Sequence, residues 1–236
     1  MNILCLDTSG AAAGVAIFRD GRLVFEACVD HGMTHSVVLM PMIEQGFEAV
    51  KMGLDEVGCF VCTRGPGSFT GVRIGVSTIK ALAYAAGKSA LGINTLDALA
   101  YNVVAHRGHI CAAMDARRAQ VYAALYVSDG ERLTRAGEYA AFPVEECAAA
   151  WPAGEDVLLV GDGAQAYRKE WEAAASGRAV FAPPHLVRQR AAAAGAYALA
   201  LMAGGVRPGG PFDLEPFYLR LPQAEREYRR RLKERG

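Results

Sequence analysis

One order of events occurs twice along this chain. Ile3-Leu4-Cys5-Leu6 is a short apolar run that ends at Asp7; Ala12 to Phe18 is a second run, and Asp20-Gly21 separates it from a third, Leu23 to Val29. Asp-Gly between strand-like runs signals a two-residue hairpin turn, because both residues tolerate positive φ. Residues 2–29 therefore read as three strands in a meander. The order then restarts: Ile110 to Met114 ends at Asp115, Val121 to Val127 follows, and Asp129-Gly130 precedes Leu133 to Tyr139. Asp115 lies 108 residues after Asp7, and the Asp-to-Asp-Gly offsets are 13 and 14 residues. A repeat that long is no solenoid unit; it has the size of a domain.

Each meander is followed by helices and strands in alternation. Thr34 is placed to cap a helix running to about Val50, with Val38, Met42 and Phe47 as apolar positions; Pro41 inside it predicts a kink or a later start. Gly58 to Thr63 reads as a strand, Arg64 to Gly71 as a glycine-rich loop, Val72 to Ala86 as a helix, Ala90 to Ile93 as a strand and Thr95 to Ala105 as a helix. In the second half Pro143 to Trp151 is helical, and Val157 to Val160 runs into Gly161-Asp162-Gly163, placed as Gly65-Pro66-Gly67 is in the first. Tyr167 to Ala175 and Gln189 to Ala203 also read as helices. Two βββαβα lobes of this kind resemble the two-lobed actin-like (ribonuclease-H-like, ASKHA) α/β fold. The lobes would span 1–106 and 107–205, with a linker and charged tail over 206–236. Such a likeness of topology assigns no function.

Composition narrows the classes further. Hydrophobic residues make up 52% and charged ones 21%, enough for a true core. Lys+Arg and Asp+Glu are 25 each, and a formal charge of +0 argues against a free-standing nucleic-acid binder. RNA met through a partner stays open. No apolar run reaches membrane-spanning length, and the start lacks a basic leader. Six cysteines scattered singly in apolar segments read as reduced core thiols of a cytoplasmic protein. Cys59 and Cys62 have CxxC spacing, but in a strand they point to opposite faces.

The densest motif is Arg64 to Gly75, RGPGSFTGVRIG. Gly65 and Gly67 permit a sharp turn, and Ser68 or Thr70 can cap the helix that follows. The loop is either a structural corner or, through free N–H groups at a helix start, an anion site. It lacks the Gly-Lys-Ser/Thr of a P-loop and the GxGxxG of dinucleotide folds. Asp7-Thr8-Ser9 could hold a Mg²⁺-bound phosphate or could form a local turn satisfying its own backbone. The candidates for an anion loop or nucleotide are thus Asp7, Thr8, Ser9, Gly65, Gly67, Ser68 and Gly71. Asp115-Ala-Arg-Arg118 is the repeat's counterpart of Asp7-Thr8-Ser9, and its arginines are expected to pair with nearby carboxylates. His31 and His35 have the spacing of a helical metal pair, but Gly32 and Thr34 put His31 before the helix and no HExxH is present. No GxSxG elbow occurs. Neither a catalytic residue nor a metal site is expected. Gly71, Gly75 and Thr78 form a small-residue stripe that suits either core packing or a helix-to-helix contact, and Met33, Met40, Met42 and Met52 suit core or interface alike. The tail Glu225 to Arg235 reads as a solvated helix.

These segments carry a resemblance. LCLDTS ending at Ser9, RGPGSFTGVRIG at 64–75, GINTLDALA at 92–100, MDARRAQVYAALY at 114–126 and PFYLR at 216–220 are similar, in this order and spacing, to the TsaB (YeaZ) family of bacterial tRNA threonylcarbamoyladenosine biosynthesis. The resemblance implies a protein without catalysis of its own, which pairs with the catalytic paralogue TsaD and recruits the ATPase TsaE. That complex transfers threonylcarbamoyl to the adenosine beside the anticodon, so tRNA would be met only through it. The resemblance also implies a homodimer when TsaD is absent, through the first two helices. His35, Val38, Met42, Thr70, Arg73 and Thr78 would then lie in the interface. TsaD carries a metal-binding histidine pair; the matching helix here has no histidine before His106. No cofactor is certain, and ATP or ADP with Mg²⁺ would sit at the partner interface. The alternative is an ATPase or kinase-like enzyme using Asp7 and the 65–71 loop, for which Ser9 to Ala13 is short and apolar. Membership of the old glycoprotease-like group would require bound zinc for peptidase action.

Overall fold

The structure, a computed structural model, describes residues 1–30, 32 and 34–220. Strands β1 (Ile3–Asp7), β2 (Ala13–Arg19) and β3 (Arg22–Val29) form the expected antiparallel meander. Asp20 and Gly21 turn it with φ of 48° and 79°. Helix α1 (His35–Val50) leads to β4 (Cys59–Thr63), which pairs in parallel with β1; α2 (Phe69–Ala86) then leads to β5 (Ser89–Ile93), parallel to β4. The sheet order is β3-β2-β1-β4-β5.

After α3 (Thr95–Tyr101) the scheme recurs. Strands β6 (Arg107–Asp115), β7 (Gln120–Asp129), β8 (Leu133–Arg135) and β9 (Ala140–Pro143) are antiparallel; α4 (Val144–Ala149) precedes β10 (Val157–Val160), parallel to β6. Then come α5 (Asp162–Ala166), α6 (Arg168–Ala174), β11 (Ala179–Phe181) and α7 (Ala191–Ala203). The second sheet runs β11-β10-β6-β7-β8, with β9 also on β7. Both sheets place two antiparallel strands on one side of the first strand and two parallel ones on the other. This is the duplicated α/β, actin-like architecture.

Burial explains the layers. Leu4, Leu6, Val15 and Ile17 of the first sheet pack under Leu39, Met42 and Ile43 of α1 and Val72, Val76 and Ile79 of α2. The other face, including Ile3, Cys5, Ala16 and Phe18, meets Ala191, Ala194 and Ala198 of α7. On the second sheet Ile110, Ala112 and Met114 pack against Leu96, Leu99 and Ala100 of α3, while Cys111, Ala113 and Leu159 lie under Val144, Cys147 and Trp171 on the outer side. Two helices cross between the sheets: α3 covers the second and α7 the first. No described helix is long and apolar enough to cross a membrane.

Four local expectations need correction. Helix α1 begins at His35, ahead of Pro41, so the later start is corrected, and it runs through Pro41 as one element; proline removes only the bond to the Val37 carbonyl, and both residues lie on the helix's exposed side. The strand expected over Leu133 to Tyr139 is broken, because Tyr139 turns in to place its hydroxyl 2.8 Å from Asp97; β8 and β9 pair separately with β7. Short α5 and β11 were not foreseen. Cys28 is exposed on the edge strand, whereas the other five cysteines are buried, with Cys59 and Cys62 on opposite faces of β4 as expected.

Candidate functional site

A cleft of about 510 Å³ lies where the carboxyl ends of β1 and β6 face each other across the lobes. The first lobe contributes Ser9, Gly10, His35, Gly67 and Ser68, the second Asp115, Arg117, Tyr122 and Asp162. A third wall comes from Tyr218, Leu219 and Arg220, far downstream.

The Asp7-Thr8-Ser9 segment is a sealed turn. Asp7 Oδ1 accepts the Ser9 backbone N–H at 2.9 Å and the Ser9 hydroxyl at 2.6 Å. Its Oδ2 is buried without a partner, as is Thr63 Oγ1. Burial pushes the Asp7 carboxyl above its ordinary range, against the pull of the Ser9 donors. Thr8 faces away from the cleft and donates its hydroxyl to the Gly71 carbonyl at 2.7 Å. Of the three residues only Ser9 lines the cleft.

The glycine loop is a corner shaped by close backbone approach. A Cβ on Gly65 would collide with the Phe217 carbonyl, one on Gly67 with the Ser9 carbonyl, and one on Gly71 with the Thr8 carbonyl. Gly65 and Gly67 also have φ of 114° and 155°. The loop's N–H groups are partly spent: Ser68 N bonds Ser9 O at 2.7 Å, and Gly71 N bonds the capping Ser68 hydroxyl at 3.2 Å. Gly67 and Ser68 reach the cleft; Gly65 and Gly71 do not. A Mg²⁺–nucleotide does not fit this set, because Asp7 is sealed beneath Ser9 and the glycines serve chain packing. The Gly71–Gly75 stripe packs on Thr8 in the protein's own core.

The second lobe repeats the corner. A Cβ on Gly161 would strike the Ala113 carbonyl, as at Gly67. Asp115 Oδ1 accepts Arg117 N at 2.7 Å and the Tyr167 hydroxyl at 2.8 Å, and Arg117 lies 3.5 Å from Oδ2. Asp162 Oδ1 accepts the N–H groups of Asp115 and Gly163 at 3.2 and 3.0 Å, and Gln189 Nε2 stands 3.5 Å away. Burial raises the Asp162 carboxyl above its usual range, and the Asp115 charge adds to this. Buried Gln189 also abuts Gly10, so one side chain behind the cleft touches both lobes.

Of the expected interface residues, Thr70 and Arg73 are exposed near the start of α2, and Thr78 is half-buried. His35 is half-buried, its Nε2 3.0 Å from the Gly10 carbonyl. Val38 is half-buried against the core of the first lobe. Met42 is a correction: Leu39, Met42, Ile43 and Gly46 make the helical stripe that faces the sheet, so Met42 is core. The apolar side chains that α1 leaves open are Val37 and Met40, 54% and 42% exposed. His31, Met33 and the tail Glu225 to Arg235 lie outside the described residues. Among the described residues no three His, Cys, Asp or Glu side chains are grouped as a metal would need.

Sequence reasoning gave no site role to Asp162, Gln189, Tyr218 or Arg220. The match of Gly161-Asp162-Gly163 to the first glycine corner was a signal for Asp162. Nothing local marks Tyr218 or Arg220 as cleft residues.

Duplicated sheets around a central cleft define a two-lobed protein of the actin-like class. The profile of the family described as "TsaD: tRNA N6-adenosine threonylcarbamoyltransferase" matches residues 31–208. The chain belongs to that family, as a TsaB (YeaZ) homologue. The tRNA threonylcarbamoyladenosine biosynthesis protein TsaB of Bacillus subtilis (strain 168) is 36% identical over 126 residues, 53% of this chain and 55% of its own. The TsaB of Escherichia coli (strain K12) is 35% identical over 133 residues, 55% of this chain and 56% of its own. The chain thus matches a little over half the length of these curated relatives. In structure it is similar to YeaZ from Pseudomonas aeruginosa, with a TM-score of 0.80 and 29% identity over 92% of this chain and 99% of that one.

Proposed function

We propose that this chain serves tRNA threonylcarbamoyladenosine biosynthesis as a non-catalytic partner of a TsaD-type paralogue, and meets tRNA only through that complex. The observation that carries this reading is the outer α1–α2 layer. It buries one stripe on its own sheet and leaves Val37 and Met40 of α1, and Thr70 and Arg73 of α2, exposed. A paralogue of the same fold could cover that layer with the equivalent pair of its own helices, and a second copy of this chain would do so in its absence. The sealed state of Asp7 and the packed glycine corner support a partner role over the kinase-like alternative, since neither offers a cradle for a transferring phosphoryl group. On this reading TsaE and its ATP or ADP with Mg²⁺ belong to the junction of the complex, and the protein works in the cytoplasm.

Titration calorimetry with the purified TsaD-type paralogue tests the proposal. Met40→Glu would force an unpaired charge into the contact and is expected to weaken association at least ~100-fold. With TsaE and ATP present, the wild-type pair, but neither of the two chains without the other, should transfer threonylcarbamoyl from its adenylate to tRNA. Unchanged affinity in Met40→Glu removes the α1–α2 contact, and transfer by this chain alone removes the non-catalytic role.

A further inference from the structure

The segment from Leu214 to Arg220 crosses the mouth of the cleft from one lobe to the other, and its two ends are held very differently. At the first-lobe end Leu214 is buried in the core beneath α2. Phe217 N donates to the Arg64 carbonyl at 2.6 Å, and its own carbonyl is pressed against Gly65. Tyr218 stacks on Phe69 with ring centroids 4.9 Å apart and accepts from Arg73 Nε at 3.2 Å. This end combines burial, a backbone bond and an aromatic stack.

On the second-lobe side the Phe217 ring meets Tyr139 edge-on, with centroids 5.7 Å apart, and at the far end the hold is one side chain. Arg220 donates to the Ala116 carbonyl at 3.1 Å and to the Gln120 side chain, with its guanidinium 5.5 Å from the Tyr122 ring. Ala116 and Gln120 are the two flanks of the β6–β7 turn, already joined by the bond from Ala116 N to the Gln120 carbonyl at 2.9 Å, and Arg220 adds a second tie, a staple across the same base. The turn itself is unusual: Arg117, Arg118 and Ala119 all have positive φ, at 67°, 58° and 55°. Non-glycine residues pay for each left-handed conformation, and such strain persists only where the surroundings hold it in place. The turn supplies Asp115, Ala116 and Arg117 to the cleft wall.

We infer that the 214–220 strap is a latch on the inter-lobe cleft, anchored on the first lobe and released at Arg220, and that the left-handed 117–119 turn is the strained element whose backbone closure it reinforces. When Arg220 lets go, the turn keeps only its own Ala116–Gln120 backbone bond and the Asp115 contacts, and the second-lobe wall of the cleft loosens. Tyr218 and Leu219 stay with the first lobe. The device joins the start of α2, where Arg73 and Phe69 grip Tyr218, to the opposite wall of the cleft through the three residues Tyr218 to Arg220.

Amide hydrogen exchange on the full chain tests this. Arg220→Ala is expected to speed exchange across 115–122 at least tenfold and to leave 64–75 unchanged. Ala119→Asn accepts a left-handed backbone at lower cost, and in that background the same Arg220→Ala change should speed exchange less than threefold. Gln120→Ala, which removes half of the staple, should give an intermediate rise, and it serves as the second probe if Arg220→Ala melts. Three results overturn the inference: no change at 115–122 in either variant, an equal rise with and without Ala119→Asn, or an equal rise at 64–75, which would mean that the strap leaves as one piece.

Discussion

The hydroxyl of Thr8 donates to the carbonyl of Gly71 at 2.7 Å, tying the end of the first strand to the first turn of α2. The approach is close enough that a methyl group on Gly71 would overlap the Thr8 carbonyl oxygen. Backbone on both sides leaves nothing to swing away. Gly71→Ala should therefore destabilise by about 2–3 kcal/mol, the range of an overpacked core. Gly87→Ala, at φ 63° in open space, should cost only the ~1 kcal/mol of a left-handed alanine. Urea midpoints of the two variants measure the contrast.

How far this contact could be foreseen shows where sequence reasoning ends. The strands and their turns were legible because their signals are local: alternation, Asp-Gly, and an apolar run closing on Asp. The duplication of the lobes followed from their repetition. The role of the glycine loop was not, since corner and anion site share one composition; what decides is the approach of Ser9 and Phe217, distant in sequence. The sheet to which α7 belongs was equally hidden. Its residues, Ala191 to Ala203, are apolar almost all round, so no stripe points to one partner. Met40 and Met42 sit two residues apart, and only the helical phase, read together with the sheet, separates surface from core.

The carboxyl of Asp7 makes stability depend on pH in a stated direction. Burial raises its pKa in the native state above the unfolded value near 3.9, so the native protein binds more protons than the unfolded chain between the two values. Its contribution is complete below the unfolded pKa and is lost as pH rises through the native one. Asp7→Asn keeps an oxygen for both Ser9 donors and places an amide near Thr63. It should raise the melting temperature at pH 7 and flatten that part of the profile. Thermal melts from pH 4 to 8 check both.

Helix α1 offers a paired test of surface against core. Met42→Glu buries an unpaired charge under the first sheet and should cost about 3–5 kcal/mol. Met40→Glu, on the open side, should stay within about 0.5 kcal/mol of wild type in melts dilute enough that both chains are monomeric. Thermal midpoints suffice, and equal losses would place Met40 in the core as well.

Asp97 on α3 receives the hydroxyls of Tyr126 at 2.7 Å and Tyr139 at 2.8 Å. Burial raises its carboxyl, and the two donors partly offset this. Tyr126→Phe and Tyr139→Phe should each cost about 1–2 kcal/mol. Together they should cost more than the sum, because the second loss strips the carboxylate of its last tyrosine. A double-mutant cycle in urea measures the excess.

The crossing of α3 and α7 has a consequence for the integrity of the molecule. Each half of the duplicated chain lends a helix to the sheet of the other, so cutting at residue 106 would strip each product of the cover for one of its faces. The halves are hostages to one another, and calorimetry should record a single melting transition in place of two.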